Sequence, residues 1–150
     1  MEKLGEFVMT VKCEDKNPQN VTKIVIKGRP VTKKNHCQIV KNRNTGRPML
    51  IQSSQYRQYE KEFIKQMDEN LKGLFDAEVQ LHMRALYYFP DRRGKADLVN
   101  LIQATQDILQ KFGLYDNDSQ IESLDGSRIV GIDKDNPRVE IEIEEIEKGI

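Results

Sequence analysis

The sequence predicts a single α+β domain in which a mixed β-sheet carries two main helices, packed mainly on one face. Three observations predict it: short segments of two-residue alternation near both ends, two longer segments with apolar residues every three or four positions, and no internal repeat or low-complexity linker. At 150 residues the chain has the size of one domain, which buries roughly two thirds of the surface its unfolded chain exposes. Residues 21–150 form that domain, and residues 1–20 are an N-terminal extension or edge strand, with Phe7 to Val11 the candidate strand.

Thr22 to Lys27 alternates, with Ile24 and Ile26 on one side, and ends at Gly28-Arg29-Pro30. His36 to Lys41 and Pro48 to Gln52 form a hairpin around Arg43-Asn44-Thr45-Gly46, where Asn and Gly supply the positive φ of such turns. Ser53 or Ser54 caps a helix running to about Leu71, with Tyr56, Tyr59, Phe63, Met67 and Leu71 as its core stripe and Lys72-Gly73 closing it. Ala77 to Phe89 is a long strand stopped by Pro90, with Val79, Leu81, Met83 and Ala85 on one face. The second helix spans Asp97 to Phe112, Asp97 its N-cap and Gly113 the residue that ends it. Two strands finish the domain: Ile121 to Val130, interrupted at Asp125-Gly126, and Arg138 to Ile146, whose glutamates 140, 142 and 144 should face water.

Composition excludes several classes. No apolar run approaches the roughly 20 residues that cross a bilayer, and the N-terminus lacks the basic-then-apolar order of a signal peptide, so a cytoplasmic protein away from membranes is expected. Cys13 and Cys37 form no C-x-x-C pair and read as free thiols, while His36 and His82 stand at no metal-ligand spacing from a cysteine. Formal net charge is zero, 24 basic residues against 24 acidic, yet the charges are unevenly distributed. Val21 to Leu50 holds Lys23, Lys27, Arg29, Lys33, Lys34, Lys41, Arg43 and Arg47 with no acid, whereas Asp133 to Glu147 is mostly acidic. A basic face for phosphates fits that asymmetry, and so does ordinary solvated surface.

Chemistry concentrates on the second helix. At about 100° per residue its apolar side chains share one side, Asn100 and Asp107 nearly superimpose on another, and Asp97 flanks them. Tyr115-Asp116-Asn117-Asp118 then adds a second acidic cluster. Carboxylates held within a few ångströms of one another repel unless they share a proton or bind a cation, and oxygen ligands of this kind suit Mg²⁺. Taken singly, Asp97 can be a helix cap, Asp107 a solvated helix residue, and Asp116 to Asp118 a turn. Beside them, Arg92, Arg93 and Lys95 supply the cationic groups that backbone cleavage needs for phosphate.

These segments resemble the RusA family of Holliday-junction resolvases, the crossover-junction endodeoxyribonucleases. The resemblance rests on Pro-Asp-Arg-Arg at Pro90 to Arg93, Asp-Leu-x-Asn at Asp97 to Asn100, Asp107 with Ile-Leu after it, and Asn-Asp-x-Gln-Ile at Asn117 to Ile121. More weakly, Gly28 to Asn35, Tyr56 to Glu60 and Asn136-Pro137-Arg138 look like the same family. It implies a RusA-like fold and a Mg²⁺-dependent endonuclease, with Mn²⁺ possible, that cuts four-way DNA junctions as a homodimer in recombination and repair. By position, Asp97 and Asp118 look like its catalytic, metal-binding aspartates, with Asp107 and Asn100 candidates to complete the shell. Lys33, Lys34, Arg43, Arg92, Arg93 and Lys95 would contact DNA.

The family's well-known form has a further Asp where this chain has Val99, and a Lys one turn later where it has Gln103. Either the chain binds branched DNA without cutting it, or Asp107 or Asn100 replaces the ligand while Lys33, Lys34 or Lys95 replaces the charge. An α+β interaction protein with no DNA role is the third reading.

Overall fold

The computed structural model describes residues 21–33, 37–94 and 96–146. The expected strand at Phe7 to Val11, the thiol of Cys13, and the phosphate contacts of Lys34 and Lys95 lie outside the described residues, as does the side chain of Cys37.

A sheet of five strands and a separate hairpin form the β-structure. Along the main sheet the order is β1 (Val21–Lys27), β7 (Arg138–Glu145), β4 (Leu81–Phe89) and β5 (Ile121–Ser123), with β6 (Arg128–Ile132) also paired to β4. β1–β7 and β7–β4 are antiparallel, whereas β5 and β6 run parallel to β4 at its start and end respectively. The expected strand from Ile121 to Val130 is thus two short strands on one edge of β4, parted at Asp125-Gly126. Gly126 sits at φ +88°, and a Cβ there would lie 2.7 Å from Cδ of Arg84, so the break suits glycine. Among the described residues β2 (Cys37–Lys41) and β3 (Pro48–Gln52) pair only with each other, Asn42 Oδ1 accepting from the backbone of Asn44 and Thr45 in their turn.

Alternation decides what the sheet buries. Ile24 and Ile26 of β1, Val139, Ile141 and Ile143 of β7, and Leu81, Met83, Ala85, Tyr87 and Phe89 of β4 face one way and are buried. Against them lie α1 (Ser54–Gln66), through Tyr56 and Phe63, and α2 (Leu98–Phe112), through Leu101, Ile102, Ala104, Ile108, Leu109 and Phe112. The Tyr87 hydroxyl is 2.7 Å from Thr105 Oγ1, which itself donates to the Leu101 carbonyl, so the buried phenol is satisfied inside the core. No helix among the described residues is long and apolar enough to cross a membrane.

Three expectations need correction. α1 stops at Gln66 rather than Leu71: Met67 turns extended at ψ 142°, and Asp68 caps a separate 3-10 turn, Glu69–Leu71, that Lys72-Gly73 follows. β4 starts at Leu81 rather than Ala77 because the carbonyls of Asp76 and Val79 are taken by the Gln120 side-chain amide at 2.8 and 2.9 Å. The glutamates of β7 are half-buried rather than solvated, since Arg138 meets Glu140, Arg84 and Lys23 meet Glu142, and His82 meets Glu144.

The two faces of β7 should therefore respond differently to truncation. Ile141→Ala is expected to cost about 2–5 kcal/mol in urea unfolding, and Glu142→Ala, in a partly exposed pair, no more than about 1 kcal/mol.

Candidate functional site along the second helix

β4 and β5 are parallel, so the chain between them returns along the full length of β4, and α2 is that return. Its N-terminus lies at the end of β4 and its C-terminus near the start, where Ile121 pairs with Leu81. Every candidate residue on or beside α2 takes its place from this path.

At the N-terminal end, Asp97 caps the helix, its Oδ1 accepting from the Val99 amide at 3.0 Å. The preceding loop is clamped by Arg29, which donates from Nη1 to Asp91 Oδ1 at 3.0 Å and from Nη2 to the Arg93 carbonyl, with its guanidinium 5.8 Å from the centre of the Phe89 ring. Asp91 Oδ1 also accepts from the Arg93 amide at 2.9 Å. The Arg29 hydrogen bond first, then that amide, hold the Asp91 carboxyl below its ordinary range. Beside the loop is a cavity of about 260 Å³ lined by Phe89, Asp91, Arg92, Ala96, Ile129 and Ile132. It opens at the C-terminal ends of the parallel strands β4 and β6, where open α/β sheets bind ligands.

Midway along α2, Lys33 Nζ is 2.7 Å from Asp107 Oδ2, and Gln103 Nε2 donates to Asp107 Oδ1 at 3.0 Å. Lys33, Asn100, Gln103 and Ala104 line a cleft of about 210 Å³. Lys33 Nζ also lies 5.9 Å from the centre of the Tyr56 ring, an orientation that lets the π-face share the ammonium charge. The Tyr56 hydroxyl is the buried side-chain polar atom without a partner among the described residues. Burial, then the charges of Glu60 and Asp107, push its phenol well above the usual range, keeping it protonated.

At the C-terminal end, Gly113 adopts φ +98° and its amide returns to the carbonyls of Leu109 and Gln110. Tyr115 donates its hydroxyl to the Gln106 carbonyl at 2.7 Å. Asn117 and Gln120 form a reciprocal capping box around Asp118–Gln120, and the Asp118 amide donates to Gln110 Oε1 at 2.8 Å. Burial raises the Tyr115 phenol, with the charges of Asp118 and then Asp107 adding to the shift.

One protomer brings Lys33, Asn100 and Asp107 to a common stretch of helix, and does not bring Asp97 to Asp118. The 15 residues of α2 span roughly 22 Å between the two. Among the described residues no three His, Cys, Asp or Glu side chains stand together where they could hold a metal ion, and Asp97 and Asp118 lie at opposite ends of α2. Asp107 has a lysine as its counter-ion instead. Arg92 and Arg93 are exposed in the loop before α2, and Arg43 is exposed in the β2–β3 turn, on the other sheet. Sequence reasoning missed the Arg29–Asp91 clamp and the anchoring role of Gln110. The Asn117-x-x-Gln120 capping signature was readable.

A family model described as Endodeoxyribonuclease RusA matches residues 27–144, most of the chain. No curated protein matches it.

The loop clamp is testable by pH. A carboxyl whose folded pKa is depressed contributes stability above its unfolded value, about 3.9 for Asp, and loses that contribution as pH falls through the folded value. NMR titration should find Asp91 ionising below that value, and Arg29→Ala should return it towards the ordinary value; an unchanged midpoint in the variant would refute the clamp.

Proposed function

Because the chain belongs to the RusA endodeoxyribonuclease family, we propose that it is a structure-selective endonuclease that resolves four-way DNA junctions by paired phosphodiester hydrolysis. Mg²⁺, with Mn²⁺ as a substitute, is the proposed cofactor, a homodimer the proposed working form, and cytoplasmic DNA recombination and repair the proposed setting. The observation that carries this reading is the family match across residues 27–144, which contains Asp97, Asn100, Asp107 and Asp118. A divalent ion would supply a more acidic bound water and charge for the leaving oxygen.

The chain's own residues have separable parts in this reading. Asp97 and Asp118 are the proposed metal ligands. Asn100 and Asp107 are the candidates for the position that Val99 vacates. Lys33 is the proposed replacement for the family lysine, and its support is positional: its ammonium meets Asp107 beside Gln103, the residue that stands where the family has that lysine. Arg43, Arg92 and Arg93, with Lys34 and Lys95, are proposed to neutralise backbone phosphates, which positions the junction and reads little sequence.

A second reading has one observation in its favour: Val99 is 71% exposed on the helix where the family carries a carboxylate. In that reading the chain binds junctions and does not cut them. A labelled four-way junction incubated with protein and Mg²⁺ decides between them. The nuclease yields paired, symmetric nicks, and Asp97→Asn or Asp118→Asn removes them while junction binding persists. Binding without any cut in Mg²⁺ or Mn²⁺ establishes the second reading.

Phosphate contacts leave a separate signature. Junction affinity should fall steeply as salt rises, and Arg92→Ala or Arg43→Ala should each reduce the slope of log affinity against log salt by about one. Salt-independent binding would refute the basic face.

A further inference from the structure

We infer that the cavity beside the loop before α2 receives one unstacked base of a branched DNA, and so favours DNA whose pairing is already interrupted. The inference rests on the nuclease reading, which puts DNA against Asp97, the residue next to the Ala96 that lines the cavity.

A β-bulge builds the pocket. Ile129 and Ile132 are three positions apart on β6, and on a regular strand they would point to opposite faces of the sheet. The register shifts between Tyr87 and Tyr88 of β4, so that Ile129 pairs with Tyr87 and Ile132 with Phe89. Both isoleucines therefore turn to the face on which Tyr87 and Phe89 are buried. Gly131 stands at this bulge with φ +150°, and a Cβ there would meet nothing within 4 Å, so the absent side chain leaves room. The Asp133 amide then donates to the Phe89 carbonyl at 2.8 Å, which fixes the end of β6 against β4. Ile132 remains 49% exposed and, unlike a solitary surface aliphatic, continues an apolar wall with Phe89, Ala96 and Ile129.

Size and charge select the occupant. The cavity, at about 260 Å³, falls below the roughly 300–1,000 Å³ of pockets that enclose drug-sized ligands, and a flat ring system the size of one nucleobase suits it. Aromatic and aliphatic walls accept the face of a base whatever its identity. The rim suits the phosphates on either side of such a base. Arg92 and Arg93 are exposed there. Two acids beside them already have arginine partners: Asp91 meets Arg29 at 3.0 Å and Arg93 at 3.4 Å, and Asp133 meets Arg138 at 2.9 Å. An incoming backbone thus meets guanidinium groups at the rim, with both of these carboxylates neutralised. Extruding a base costs least where pairing and stacking are already broken, as at a branch point. The pocket therefore contributes selectivity for structure without reading base edges.

The test measures binding of the full chain without divalent metal, so that cleavage plays no part. Two four-way junctions are compared, one intact and one with abasic residues in place of the branch-point nucleotides, which keeps every phosphate. Wild type should prefer the intact junction by at least about fivefold. The Ile129 and Ile132 methyl resonances should move with the intact junction and stay in place with the abasic one. Equal affinities, or methyl groups that respond alike to both, overturn the inference. It also falls if free deoxynucleoside monophosphates bind as tightly as the intact junction, because the pocket then serves mononucleotides.

Filling the cavity supplies a second measurement. Ile129→Trp should bring the two affinities together. Should that variant fail to fold by circular dichroism, Ile132→Ala, at the exposed edge of the wall, should lower the preference by at least about twofold. A preference that survives in either folded variant overturns the inference. A wild type that cuts both junctions yet binds them equally loses the pocket and keeps the nuclease reading. One that prefers the intact junction and never cuts in Mg²⁺ or Mn²⁺ keeps the pocket and loses the nuclease.

Discussion

The parallel pairing of β5 with β4 is the constraint on which the rest of this molecule depends. An antiparallel neighbour can follow through a tight turn, but a parallel one obliges the chain to travel back beside the strand it has just completed. Here the return is α2, 15 residues long. Its buried side joins the core, where Thr105 meets the Tyr87 hydroxyl, and its ends fix the polar groups that precede and follow it. Asp97 and Asp118 are 21 positions apart in sequence and separated by the length of a helix because of this one crossover.

Much of the architecture was legible in the sequence, because it depends on local chemistry. The limits of α2 follow from Asp97 as cap and Gly113 in a left-handed conformation, both strong single-residue signals. The alternation of Val139, Ile141 and Ile143 gave β7 its buried face without reference to any partner. Failures occurred where a distant residue intervenes. Nothing near Ala77 announces that Gln120 takes two carbonyls ahead of β4, and nothing in β7 announces that Arg84 and His82 lie across from its glutamates.

The site was legible as residue types and illegible as an arrangement. Helical spacing grouped Asn100 with Asp107, since both lie on one element. It could not say that Lys33, from the segment after β1, would reach the same place, or that the acids at the two termini of α2 would be held apart. Spacing along a helix is a local quantity; the direction in which that helix crosses a sheet is not. The same distinction explains the significance of Gln103. Taken alone it is a missing lysine, and in the fold it is a hydrogen-bond donor to the carboxylate that receives an ammonium from elsewhere in the chain.

The last turn of α1 also bears on self-association. Gln66 receives the Lys27 amide on its Oε1 at 2.8 Å and gives its Nε2 to the Lys27 carbonyl at 3.0 Å, imitating with one side chain what an added strand would offer. Among the described residues β1 is an outer strand, and unsatisfied main-chain groups on such a strand invite another molecule to dock edge to edge. The glutamine amide fills the final rung of that margin, and the exposed Lys23 and Lys27 give the strand like charges. Growth of the sheet into a ribbon of many molecules is thereby discouraged at this border.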